Sequence, residues 1–206
     1  MSASKPPDSQ KARRSWTRTP PPDHTPSTRE WVEIARELLI SEGIVEVKID
    51  RIAKIAGVTR GGFYWRFKNR DDLLAELLQD WKSTNTNPYL AILQRPGSPQ
   101  DRLRALALMQ IAEADYSADY DRAVRHWAGL SAKVADAVRE VDALRVQALN
   151  AVFLDAGFEA DEALIRARVT YFHQVGYDTI HLQESNEARL ALVDLYLRVL
   201  MGSSER

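Results

Sequence analysis

Apolar residues return at helical spacing once the chain leaves its proline-rich beginning. Trp31, Ile34, Ala35, Leu38 and Leu39 fall at i, i+3, i+4, i+7 and i+8, which places them on one face of an α-helix. Ser27 and Glu30 have the S-x-x-E spacing of a capping box, and Gly43 follows Glu42 as a stop. A second helix is predicted from an Asp50 cap, with Ile52, Ile55 and Ala56 inward and Gly57 closing it. Thr59 is the next candidate cap, only two positions on. Short helices joined by so tight a turn, with a glycine inside it, outline a helix-turn-helix. Asn69 then caps another helix, whose apolar face is Leu73, Leu74, Leu77, Leu78 and Trp81. That pattern fades in the polar run from Lys82 to Pro88, and the prolines and glycine of residues 95–100 break it, so a domain boundary is expected near 84–100. Beyond it, helices are expected at about 101–117, 119–129, 132–156, 161–182 and 187–201. No strand pattern of useful length occurs, so the fold class is all-α. The expected division is an arm over 1–26, a three-helix helix-turn-helix unit over 27–84 and a larger helical domain over 85–206.

Charge changes this picture more than composition does. At 206 residues, 45% hydrophobic and 28% charged, the chain has enough apolar material for a sizeable core. Its net charge of −1 conceals an asymmetry: residues 1–70 carry 14 Lys+Arg against 8 Asp+Glu (+6), and residues 71–206 carry 14 against 21 (−7). A basic end on an acidic body points to a polyanion contact confined to that end. The arm, with most of the nine prolines and Lys5, Lys11, Arg13, Arg14 and Arg18, cannot build a core and is expected to be disordered. There is no cysteine, so neither a disulfide framework nor a thiolate nucleophile arises. The start of the chain lacks the apolar run of a signal peptide, and no stretch nears the length of a membrane span, so a cytoplasmic protein with no membrane partner is expected.

The stretch from Thr59 to Leu74, "TRGGFYWRFKNRDDLL", combines two glycines with four aromatics and a cluster of cations. On a helix over residues 60–68, at about 100° per residue, Phe63 and Phe67 share one side and anchor it to a core. Arg60, Gly61, Tyr64, Trp65 and Lys68 occupy the opposite arc. Glycine costs a helix roughly 1 kcal/mol relative to alanine, and close approach of another molecule is a compensation. Arg60, Arg66, Lys68 and Arg70 offer phosphate contacts from one element. Arg60, at the helix start, is placed to reach guanine in a major groove. The alternative is that the glycines only ease the turn and all four aromatics are core.

The run "IDRIAKIAGVTRGGFYWRFKNRDDLL" resembles the DNA-binding segment of the TetR (tetracycline-repressor) family of bacterial transcriptional regulators. The likeness covers about residues 28–82 and rests on Ile52-Ala53, Ala56-Gly57-Val58-Thr59, Phe63-Tyr64 and Phe67. It implies that Thr59, Arg60, Gly61, Gly62, Tyr64, Trp65, Arg66, Lys68 and Arg70 form the DNA-binding surface, with Tyr64 on backbone phosphate and Trp65 adding a contact. The chain has Arg66 where the family usually has histidine, Arg70 where it usually has lysine, and Gly62 where a small hydroxyl residue is frequent. The resemblance further implies a double-stranded DNA operator, a homodimer and a small-molecule effector held in a helical C-terminal domain.

For the second half the residues themselves offer candidates. Tyr116, Tyr120, His126, Trp127, Asn150, Tyr171, His173, Tyr177 and His181 each bring a polar tip to an apolar interior, as a pocket lining would. Phe172, Gly176 and Leu197, on the last two helices, are the expected dimer contacts, with intramolecular core as the alternative. His173, Tyr177 and His181 share a helix face, but carboxylate or thiolate partners at metal-ligand spacing are missing, so no metal is expected. No nucleophile motif, glycine-rich phosphate loop or H-E-x-x-H occurs, and no cofactor is expected. The expected function is a ligand-responsive DNA-binding regulator acting as a repressor. The competing classes are an enzyme, or a protein-interaction module, carrying a helix-turn-helix appendage.

Overall fold

A computed structural model describes residues 25–113, 115–180 and 184–202. The expectations for the N-terminal arm fall on residues outside this set, apart from its last two positions, as does His181. Helix α1 spans Thr28–Glu42, and the capping box is formed: the Ser27 side chain accepts from the Glu30 N–H, and the Glu30 carboxylate accepts from the Ser27 N–H at 2.8 Å. A 3-10 turn, Ile44–Glu46, leads to α2, Ile49–Ala56. The sequence offers Asp50 as the cap of α2, but the helix starts two residues earlier than that cap implies, with Lys48 in the cap position and no side-chain cap bond. Gly57 closes α2 in the left-handed conformation at φ 71°, which favours glycine.

Helix α3, Arg60–Tyr64, is shorter than the nine-residue helix used to place its faces. The chain turns at Trp65 and Arg66, and the Phe67 N–H still reaches the Phe63 carbonyl at 3.0 Å. Both phenylalanines therefore remain on the buried side. Asn69 caps α4, Arg70–Trp81, by accepting from the Asp72 N–H at 2.9 Å.

The polar run after Trp81 does not end the helix. It becomes one π-helical turn, Lys82–Thr86, which passes straight into α5, Asn87–Gln94. A π turn inserts an extra residue per turn and shifts the faces of the helix. Here it turns Asn85 and Thr86 inward, where both are buried. Then come α6 (Pro99–Ala112), α7 (Ala118–Ala128), α8 (Ala132–Asp155), α9 (Ala160–Ile180) and α10 (Asn186–Met201). Helix α6 stops five residues short of its expected end, because Glu113 adopts a left-handed φ of 50°. No strand occurs among the described residues.

Two apolar clusters fill the molecule, and they do not divide where the proline run suggests. One joins α1 to α4 with Tyr120, Val124 and Trp127 of α7 and with Val134, Ala137, Val138 and Val141 of α8. Its centre is aromatic: Trp31 meets Phe63 edge-on with ring centroids 5.4 Å apart, and Phe63 stacks on Phe67 at 5.2 Å. The other cluster joins α5, α6, the C-terminal half of α8, α9 and α10. The N-terminal helices thus share a core with α7 and α8, and any shift of α7 is felt by α1 and α4.

Candidate nucleic-acid interface

With Phe63 fully buried and Phe67 nearly so, the opposite side of the α3 segment is displayed to solvent. Thr59, Arg60, Gly61, Tyr64, Trp65, Arg66 and Lys68 are all exposed. Trp65 is 91% exposed. An indole with almost no contact to its own chain gains nothing from folding, so its large apolar surface is left for a partner to cover. Gly61 and Gly62 have no crowding that demands glycine: a Cβ added at either would meet its nearest neighbour at 3.4 Å, an ordinary contact. The bare backbone there is not required by packing within the chain.

Two cations on this face, Arg66 and Lys68, have no ion pair among the described residues. Arg60 lies against Asp50 of α2, with its Nε 2.9 Å from Oδ1, and both side chains are well exposed. An exposed pair of this kind is worth at most about 1 kcal/mol, so Arg60 is readily released. Arg70 is placed differently from the sequence expectation. Its Nε donates to the Val47 carbonyl at 2.6 Å and its Nη2 to the Ile44 carbonyl at 2.7 Å. The guanidinium clasps the 3-10 turn to the start of α4, which makes Arg70 a brace of the unit rather than a free phosphate ligand.

Behind this unit lies a buried polar junction that the sequence reading missed. Asp121 of α7 is almost wholly buried, and its Oδ1 lies 3.1 Å from Arg145 Nη1 and accepts from Trp81 Nε1 at 3.1 Å. Its Oδ2 accepts from Arg125 Nε at 2.8 Å. Arg145 also donates to the Asn85 carbonyl and the Thr86 hydroxyl, each at 3.2 Å, so the π turn supplies two of its acceptors. Arg125 continues to Asp142 at 2.7 Å and to the Tyr171 hydroxyl at 2.8 Å. Burial pushes the Asp121 carboxyl up, but the charges and hydrogen bonds of Arg145 and Arg125 outweigh it and hold it below the usual carboxylate range. The available signal was Asp121 with Arg125 one helical turn on, and Arg145 in the otherwise apolar face of the next helix. Only the fold shows that all three face inward.

The expected pocket residues do not form one site. Tyr116 and Tyr120 are buried core residues whose hydroxyls bond to Asp178 at 3.0 Å and to the Leu77 carbonyl at 2.8 Å. Trp127 packs against the N-terminal helices, and His126 faces solvent. Asn150 and Tyr171 border a groove between α8 and α9. Among the candidates that are described residues, only His173 and Tyr177 line a cavity of about 160 Å³ between α6, α9 and α10. No cluster of three or more His, Asp or Glu that could hold a metal occurs among the described residues.

The dimer candidates also separate. Phe172 is 62% exposed and Gly176 has open space around it, whereas Leu197 is 1% exposed inside the α6, α9, α10 core and cannot meet a partner. The exposed apolar residues of α10 include Leu192, Leu195 and Val199, on a different side of the helix from Leu197. No helix among the described residues is long and apolar enough to cross a membrane.

Comparison with known proteins bears on the same segment. The family of bacterial regulatory proteins, tetR family, matches residues 32–77. Similar curated proteins are the HTH-type transcriptional regulator AcrR of Shigella flexneri, 34% identical over 86 residues that make up 39% of each chain, and the probable HTH-type transcriptional regulator ArpR of Pseudomonas putida, 32% identical over 79 residues, 38% of this chain and 35% of that one. The matched region thus spans under two fifths of these relatives' length. Among solved structures, reduced E. coli NemR superposes with a TM-score of 0.70 at 16% identity, covering 85% of this chain and 97% of that one. A TetR/AcrR-family regulator from Thermobifida fusca superposes with a TM-score of 0.62 at 17% identity, covering 87% and 98%. At these identities the structural likeness concerns the fold.

Proposed function

We propose that this chain, which belongs to the TetR family of bacterial regulatory proteins, is a dimeric transcriptional repressor released from its DNA operator by a small-molecule effector. The observation that carries the reading is the exposed face of the α3 segment, where Arg60, Tyr64, Trp65, Arg66 and Lys68 surround two glycines while Phe63 and Phe67 pin the other side. That arrangement fits a helix pressed into a major groove, with Arg60 reading a base and Tyr64, Trp65, Arg66 and Lys68 placed along the backbone. Thr59 and the two glycines supply the close backbone approach.

A single head offers few base contacts, so two heads on half-sites about 34 Å apart, or a multiple of that, are needed. The exposed stripe Ile165, Val169, Phe172 and Ile180 on α9, each more than half exposed, and the exposed Leu192, Leu195 and Val199 on α10 support pairing of two copies as a four-helix bundle. The division into an arm, a head over 27–84 and an effector and dimerisation domain over 85–206 follows this reading, with α7 and the first half of α8 serving the head as its floor. The Asp121 junction then couples effector domain and head, because it ties Trp81 and Asn85 on one side to Asp142 and Tyr171 on the other. A cytoplasmic location accords with access to DNA.

Recovering genomic fragments bound by the full chain, then titrating the enriched duplex against a scrambled one at several salt concentrations, tests the proposal. Tighter binding to the enriched duplex, falling steeply with salt, is expected. Equal and salt-insensitive binding to both would overturn it.

A further inference from the structure

We propose that the cavity between α6, α9 and α10 is a binding site for a small amphipathic carboxylate, a single aromatic ring bearing an acid group at one end and a hydroxyl at the other; this rests on the effector reading above. The cavity holds about 160 Å³, and a volume of roughly 150 Å³ accommodates one benzene-sized ring. Leu103, Leu106, Val193 and Leu200 supply apolar walls of the kind that receive a ring face.

Two polar groups in the lining lack partners. Gln110 of α6 lines the cavity, and its side-chain amide has no hydrogen bond to any described residue. Its amide therefore faces the cavity with its donor and acceptor uncommitted, and a ligand hydroxyl can accept from or donate to it. Arg189 of α10 also lines the cavity, with its guanidinium 4.2 Å from the centre of the Tyr177 ring, and it makes no ion pair among the described residues. The one carboxylate in the lining, Glu184, is engaged by the Tyr177 hydroxyl at 2.6 Å. An arginine stacked on an aromatic face and free of a carboxylate is pre-organised to take one from solution. In the same lining, the His173 ring packs against Tyr196 with centroids 4.8 Å apart. Burial and the charge of Arg189 lower the proton affinity of His173, so at neutral pH it stays uncharged and offers one donor and one acceptor to the acid group. A second cation there would have attracted a dianion; a neutral imidazole fits a monocarboxylate.

Calorimetric titration of the full chain with 4-hydroxybenzoate, benzoate and 4-hydroxybenzylamine tests the assignment, and fluorescence anisotropy of the enriched duplex reads DNA release in parallel. The expected order is 4-hydroxybenzoate tighter than benzoate, with no saturable binding of the amine. Arg189→Gln should weaken both acids by about tenfold or more. Gln110→Leu should erase the preference for the hydroxylated acid while leaving benzoate unchanged or tighter. Leu106→Trp, which fills the cavity, should abolish binding, with circular dichroism confirming the fold. If the amine binds as well as the acids, if neither acid saturates below about 10 mM, or if Arg189→Gln binds both acids like the parent, the proposal is overturned. Binding that leaves DNA affinity unchanged keeps the site and removes the effector reading. DNA release that survives Arg189→Gln and Leu106→Trp keeps the effector reading and removes the site.

Discussion

The α3 face and the Asp121 junction both concentrate arginine among aromatics, and they use it in opposite ways. Just past α3, Arg66 and Lys68 stand without ion pairs among the described residues, and Trp65 is almost wholly exposed. At the junction, Arg145 lies within 6 Å of the Trp81 and Tyr89 ring centres, and its terminal nitrogens are committed to Asp121, Asn85 and Thr86. A cation kept in water is available to a partner at little cost, whereas a cation taken out of water must be compensated inside the chain. The difference separates residues available to a partner from architectural ones better than residue type does.

Breaking the buried pair should give the largest effect. Arg145→Ala leaves Asp121 with Arg125 and Trp81 alone and takes the donor from the Asn85 carbonyl and the Thr86 hydroxyl, and a loss of up to about 3 to 5 kcal/mol is expected in urea unfolding. The contrast with α3 fails if Arg145→Ala costs no more than Lys68→Ala. The same pair sets a pH dependence. Because the folded-state pKa of Asp121 is depressed, its contribution is present above the ordinary carboxylate value near 4 and is lost as pH falls through the folded value. Asp121→Asn should therefore flatten the decline of stability between neutral pH and acid, measured as the unfolding midpoint at successive pH values.

Next in size is the contrast between the exposed and buried faces of α9 and α10. Phe172→Glu and Val199→Glu place charge on the exposed faces and should dissociate the proposed dimer without loss of helicity, whereas Leu197→Glu should unfold the domain, since it would bury a carboxylate in the α6, α9, α10 core. Sedimentation together with circular dichroism distinguishes these outcomes; a folded Leu197→Glu protein would refute the placement.

Smaller effects are expected on the DNA side. Arg60→Ala should cost roughly 1 to 3 kcal/mol on the operator and relax base preference. Lys68→Ala and Arg66→Ala should weaken all sequences alike and each lower the salt slope by about one. Arg70→Ala should instead lower stability first, because it frees the Ile44 and Val47 carbonyls. The smallest change is Gly62→Ala. With room for its Cβ, it should raise stability by up to about 1 kcal/mol while weakening operator binding, and parallel thermal melts and DNA titrations would reveal the opposite signs.

Local chemistry is what the sequence by itself determined. The Ser27 and Glu30 box, the Asn69 cap, the left-handed Gly57, the Phe63 and Phe67 anchor and the order of the helices other than α5 all follow from contacts made within a few residues, where spacing along the chain is spacing in the helix. Tertiary structure alone decided which apolar face of α9 and of α10 turns inward, because periodicity marks a position as apolar without naming what covers it. It decided that Arg70 braces a turn, through carbonyls 23 and 26 residues away. It decided that a polar run continues a helix as a π turn, where Arg145, some 60 residues further on, donates to Asn85 and Thr86. And it decided that His173 and Tyr177 share a cavity with Gln110 and Arg189, while Tyr116, Tyr120 and Trp127 fill the core. Each of these depends on groups brought together by packing of distant helices, and side-chain direction at such a contact is set by the crossing of the helices, which no local window contains.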